Sequence, residues 1–120
     1  MRRGLLKWDP AELPLAALEA RVARLRAAMH GAGLDAFIIY TNIVRPSAVC
    51  WLTGFTPYWS ESLLLVPRGG RLMFATAMTN RVADWIRSTN PVSEVTSTPK
   101  PGALRGELLA RDASVKRVGV

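Results

Sequence analysis

The sequence predicts an α/β protein in which a mixed sheet of about five strands is flanked by helices in a three-layer sandwich. Three observations predict it. Segments with helical apolar spacing alternate with short apolar runs along the 120 residues. The runs lack polar alternation, so their strands are expected to be covered on both faces. A Gly69-Gly70 pair separates two of them, which makes those two an antiparallel hairpin inside an otherwise alternating order.

The elements follow in sequence. Residues 1–13 read as an N-terminal extension and 14–120 as the domain. Pro14 suits a first helical turn, where its missing N–H is not needed. Leu15, Leu18, Val22, Leu25 and Met29 then form one apolar stripe, with Arg21, Arg24 and Arg26 beside or opposite it. Gly31 and Gly33 close the helix, and His30 complements the dipole of its last turn. Asp35 shapes the turn into a strand over Ala36–Thr41. A loop leads to Pro46, which opens a short helix through Leu52, and Gly54 ends it. Thr56 to Glu61 is an aromatic loop. Leu63–Val66 and Leu72–Thr76 are the hairpin strands. Thr79 or Asn80 caps a helix whose apolar face is Val82, Ala83, Trp85 and Ile86. Asn90-Pro91 stops that helix, and Val92–Thr96 is a weaker strand. A last helix over about 102–112 shows Leu104, Leu108 and Leu109 on one side. Arg117–Val120 reads as a further apolar strand. A domain seldom finishes inside such a strand, so the polypeptide is expected to continue.

Bulk composition sets limits. The apolar fraction of 49% provides a core and argues against disorder. The 16 basic and 9 acidic residues give +7, a surplus that attracts anionic partners. The arginines are scattered without a dense run, which suits a solvated surface. One cysteine, Cys50, permits no internal disulfide and fits a reducing cytosol, and its apolar neighbours predict a buried, inert thiol. Arg2 and Arg3 precede only Leu5-Leu6, too short for a secretory signal of about 7–15 apolar residues. No run approaches the roughly 20 apolar residues of a membrane span. A soluble, cytoplasmic protein with no membrane partner is expected.

Catalytic patterns are sparse. There is one histidine, no His-x-x-x-His or Glu-x-x-His spacing for a metal site, and no Gly-x-Ser-x-Gly elbow.

The segment Arg21–Met29, then Ala32-Gly33-Leu34-Asp35-Ala36, then Val49-Cys50-Trp51-Leu52-Thr53-Gly54-Phe55 resembles the N-terminal domain of the creatinase/prolidase/aminopeptidase P family, the pita-bread metallohydrolases. The hairpin Leu63–Ala75 and the strand Arg117–Val120 fall where the resemblance places them. It implies a ribonuclease H-like fold. It also implies a parent enzyme that hydrolyses the bond before proline in peptides, or the C–N bond of creatine-like amides. The two divalent metal ions and their ligands would belong to a following domain; no cofactor is expected in this chain. The resemblance implies a homo-oligomer, dimer or tetramer, in which this domain helps wall a neighbour's active site. Candidate contact residues are Tyr58 and Trp59 in the aromatic loop, and Arg81 and Trp85 one helical turn apart. Trp85 taken alone reads first as a core aromatic under the sheet, and Tyr58-Trp59 as either. Trp, Tyr and Arg dominate interface hot spots.

Two other classes compete. A nuclease or nucleic-acid-binding domain would need carboxylates clustered at strand ends for Mg²⁺. Here the acids are dispersed, with Glu94 alone inside a weak strand, so no nucleic-acid partner is expected. A stand-alone interaction module is the third.

Overall fold

Helix and strand periods in the sequence resolve into an ordered alternation in the computed structural model, which describes residues 8–55 and 61–120. The elements are α1 (Leu15–Gly31), β1 (Ala36–Thr41), α2 (Ser47–Thr53), β2 (Ser62–Pro67), β3 (Leu72–Thr76), α3 (Asn80–Thr89), β4 (Ser93–Ser97), a 3-10 turn (Pro101–Ala103), α4 (Leu104–Arg111) and β5 (Val118–Gly119). The strands form one sheet in the order β4-β3-β2-β1-β5. β2 runs antiparallel to both β1 and β3, while β4 is parallel to β3 and β5 parallel to β1. The sheet is therefore mixed, as its one hairpin predicts.

Period-two alternation sends successive side chains to opposite faces. Val66 of β2, Leu72 and Phe74 of β3 and Val95 of β4 meet Leu18, Val22 and Met29 of α1, Val49 and Leu52 of α2, and Ala83 and Ile86 of α3. On the other face Ala36, Leu65, Met73 and Ala75 meet Leu104 and Leu108 of α4, with Val115. Three layers result, with the larger core on the side of α1, α2 and α3.

The structure moves several sequence-based expectations. α1 runs on through Gly31 and is capped by Ala32 rather than by a glycine. Of its expected stripe, Leu18, Val22 and Met29 are buried, whereas Leu15 is exposed. β2 and β4 are displaced by about one residue at their ends. α3 has Thr79 in its capping position without a side-chain capping bond. Leu109 is exposed rather than facing the sheet with Leu104 and Leu108. Cys50 is half-buried instead of enclosed. β1 is not covered on both faces throughout, since Tyr40 is 44% exposed. β5 is shorter than expected and pairs with only Ala36 and Phe37 of β1.

Within the predicted extension, residues 8–13 dock on the domain. The Trp8 amide donates to Ser88 O at 2.8 Å and its indole N–H to Leu13 O at 2.8 Å. Leu13 packs on the larger core.

Phe74 is fully buried in the central part of that core. Replacement of Phe74 by alanine is expected to lower the unfolding free energy by about 3–5 kcal/mol, the usual cost of emptying an aromatic site. Denaturant unfolding followed by circular dichroism measures it.

Candidate functional site

One end of the sheet gathers the chemistry-bearing residues. The register aligns Thr41 with Ser62, Ser62 with Thr76 and Thr76 with Ser97, a row of hydroxyls across four strands. Thr41, Ser62 and Thr76 are buried. Their polarity is used locally. Thr41 Oγ1 donates to Arg45 O at 3.1 Å, and Thr76 Oγ1 accepts the Met78 amide at 3.2 Å. The row closes the turns where β1 and β3 leave the sheet.

At the end of α2 the chain makes a left-handed turn. Gly54 caps α2 with φ +75°, a left-handed conformation that a side chain resists. Its amide donates to Cys50 O at 2.8 Å. Thr53 Oγ1 donates to Val49 O at 2.7 Å and accepts the Phe55 amide at 3.1 Å. Phe55 is thereby driven inward. Its ring stands edge-on to Phe74, centroids 5.6 Å apart, and to Trp85, 5.7 Å apart. Trp85 is half-buried and packs on the core from α3. Arg81, one turn earlier, is exposed near the N-terminus of α3. Tyr58 and Trp59 lie outside the described residues.

A second constellation holds the opposite end. Asp35 Oδ2 accepts the amides of Lys116 at 2.8 Å and Arg117 at 3.0 Å, and Arg68 approaches Oδ1 at 3.5 Å. Those two backbone bonds, that of Arg117 foremost, hold the Asp35 carboxyl below its ordinary range. Arg68 also reaches Asp112 at 3.5 Å. Asp35 thus does more than shape a local turn: it fixes β5 alongside β1. Gly119 completes the fit, because a Cβ there would stand 2.6 Å from Leu34 and 2.7 Å from Phe37.

Sequence reasoning missed a third feature. The Trp51 ring, 42% exposed, has the guanidinium of Arg21 at 5.6 Å and that of Arg24 at 5.9 Å. Arg21 also donates to Trp51 O at 2.8 Å. The available signal was the set of arginines beside the α1 stripe, but nothing in their spacing indicated that α2 would present an indole to them. Ile43 and Val44 are likewise exposed in the loop before α2.

Among the described residues no group of three or more His, Cys, Asp or Glu side chains is placed to hold a metal ion. Glu94, the acid expected within a strand, is ion-paired with Arg111 at 2.8 Å. His30 is exposed on the last turn of α1. The described residues therefore do not fit a di-metal centre, and no chemical step is assigned to them.

The three-layer arrangement and its single mixed sheet define an α/β domain. The sequence profile of the Creatinase/Prolidase N-terminal domain matches residues 21–120, and the chain belongs to that family. No curated protein sequence matches it. Among solved structures it is similar to an aminopeptidase P (Xaa-Pro aminopeptidase) from Streptococcus thermophilus, with TM-score 0.68 and 17% identity over 85% of this chain and 72% of that one. It is also similar to the N-terminal domain of the cytoplasmic peptidase PepQ from Mycobacterium tuberculosis, with TM-score 0.62 and 28% identity over 82% and 70%. An X-Pro aminopeptidase from Thermotoga maritima matches with TM-score 0.62 and 20% identity over 82% of this chain, but only 26% of its own. Among the described residues no helix is long and apolar enough to cross a membrane.

Two outcomes follow from this geometry. Gly54→Ala is expected to cost about 1–2 kcal/mol from the left-handed backbone alone, with added strain from Leu13 Cδ2, which lies 2.8 Å from the new Cβ; thermal and denaturant unfolding report it. A carboxyl held below its unfolded value stabilises the fold above that value, about 3.9 for aspartate, and the benefit disappears as pH falls through the lower folded value. Wild-type stability should therefore decline below about pH 4, and Asp35→Asn should be less stable at neutral pH with a shallower acid decline. An identical acid profile in the variant would refute the clamp.

Proposed function

We propose that this chain is the non-catalytic N-terminal lobe of a longer metal-dependent hydrolase. A Xaa-Pro peptidase of the prolidase or aminopeptidase P type is favoured over a creatinase-like enzyme. The observation that carries the reading is the family match over residues 21–120, together with a matched region that makes up only 26% of the Thermotoga X-Pro aminopeptidase. In this reading the two divalent metal ions and the peptide or small amide substrate are bound by the remaining domain. The lobe contributes assembly into a homo-oligomer and part of the wall of a neighbouring active site. The cytoplasm is its compartment, in keeping with the name of the mycobacterial relative.

The geometry supports a role for the sheet end described above. Phe55, seated on Phe74, braces Trp85, and Arg81 stands exposed one helical turn earlier, with no ion pair among the described residues. Aromatic and guanidinium groups on a fixed scaffold position a peptide terminus without taking part in bond cleavage. Tyr58 and Trp59 are assigned to the same wall by their place in the sequence between Phe55 and Glu61.

Purified chain supplied with Mn²⁺ is expected to show no turnover of a Xaa-Pro dipeptide. In the enzyme that contains the lobe, Arg81→Ala should raise KM for a Xaa-Pro peptide by about tenfold, the loss of one charge-assisted contact, with kcat little changed. Turnover by the isolated chain, or a fall in kcat at constant KM, would contradict this assignment.

A further inference from the structure

At the start of β3, the end of the sheet opposite Arg81 and Trp85, a recess of about 600 Å³ opens between α1 and the turns that precede β3 and β4. That volume falls in the range of small-ligand sites. Glu19, Val22 and Arg26 line it from α1, Arg71 and Leu72 from the hairpin, and Val92 from the turn after α3. Val22, Leu72 and Val92 are buried and give the recess an apolar floor.

Its charged groups are fixed in place. Arg26 donates through Nε to Pro67 O at 2.9 Å and through Nη2 to Gly70 O. Arg71 Nη2 donates to Pro91 O at 3.2 Å and to Ser93 O at 2.8 Å. Each guanidinium is therefore held by two main-chain carbonyls, and each keeps Nη1 donors in reserve. Among the described residues no carboxylate pairs with either. Burial lowers the pKa of Arg26, as expected for a cation that has lost water without gaining an anion. An arriving anion meets donors that are already oriented, so little further ordering opposes binding. Glu19 is the one acid in the lining, and it is exposed and likewise without an ion pair among the described residues. It stands two helical turns before Arg26 on the same face of α1, about 10 Å away along the axis.

We propose that this recess binds a short apolar peptide by its two free ends, with the terminal carboxylate on Arg26 and Arg71, the terminal ammonium on Glu19 and the side chains over Val22, Leu72 and Val92. Charge and length together select this ligand. An inorganic anion would satisfy the guanidiniums but gain nothing from the apolar floor. An amphipathic acid would use the floor but bring no cation to Glu19. A peptide with free ends carries all three features, and three extended residues span about 10 Å, the separation of Glu19 from Arg26 along the helix. Opposite charges at the two ends also fix the direction in which the peptide lies. The site is separate from Arg81 and Trp85, and it does not depend on the peptidase reading.

The test titrates the chain with the tripeptide Leu-Ala-Val, followed by calorimetry and by amide chemical shifts. Binding should move the amides of residues 70–72 and 92. N-acetylation or C-terminal amidation of the peptide should each weaken it about tenfold, the scale of one hydrogen bond to a charged group. Glu19→Gln, at an exposed helix position, should keep its thermal midpoint and bind free and acetylated peptide alike. Arg71→Gln should narrow the difference between free and amidated peptide and leave that between free and acetylated peptide intact. A doubly blocked peptide or octanoate that binds as tightly as the free tripeptide would overturn the proposal. So would discrimination against the acetylated peptide that survives in Glu19→Gln, shifts confined to residues elsewhere, or no binding at all.

Discussion

The position of Phe55 is the constraint on which the larger core depends. Three separate pieces of chain meet on its ring: α2, which ends in front of it; β3, through Phe74; and α3, through Trp85. The ring reaches that place because Gly54 turns the backbone sharply and Thr53 holds the following amide. Edge-to-face contacts of this kind add roughly 0.5–1.5 kcal/mol each beyond the area they bury. Their larger effect is geometric, since α3 cannot slide along the sheet without breaking the Phe55–Trp85 contact, while Phe74 holds Phe55 in place. The orientation of Arg81 and Trp85 is therefore inherited from a turn some thirty residues earlier in the chain.

Much of the fold was legible because its signals are local. The α1 stripe, the Gly-Gly reversal, the Asn90-Pro91 stop and the Gly54 turn each act within a few residues, and each lies where the sequence indicates. The family was legible from Trp51–Phe55 at its distance from Gly33-Leu34-Asp35, and the profile match agrees. What escaped depends on contacts between distant residues. Asp35 reads as a turn former, yet its carboxylate caps amides more than eighty residues away. Leu109 looks equivalent to Leu104 and Leu108 until the orientation of α4 over the sheet is known. Gly119 lies so close to Leu34 and Phe37 that a Cβ would not fit, a contact that no local pattern announces. Trp85 was open between core and interface, and the structure packs it against the larger core as a half-buried residue.

The excess of positive charge has a structural explanation that composition alone does not suggest. Several of the scattered arginines are fastened to main-chain carbonyls. Arg21 bonds Trp51 O, Arg26 bonds Pro67 O and Gly70 O, Arg71 bonds Pro91 O and Ser93 O, and Arg87 bonds Val95 O. The planar guanidinium, with five donors in a fixed fork, suits this work better than an ammonium. Helices and turns are stapled to one another across the surface of the lobe. Burial has gone far enough at Arg26 to lower its pKa. An Arg-rich composition here reflects carbonyl satisfaction at loop ends as much as it reflects any anionic partner.

The finish of β4 also sets a limit on growth. A sheet that can accept a strand on either side is a repeating unit, and such units polymerise into fibrils. Arg71 and Arg87 occupy main-chain carbonyls along β4, so this flank does not receive a further strand. With that edge closed, the sheet cannot propagate through both of its sides.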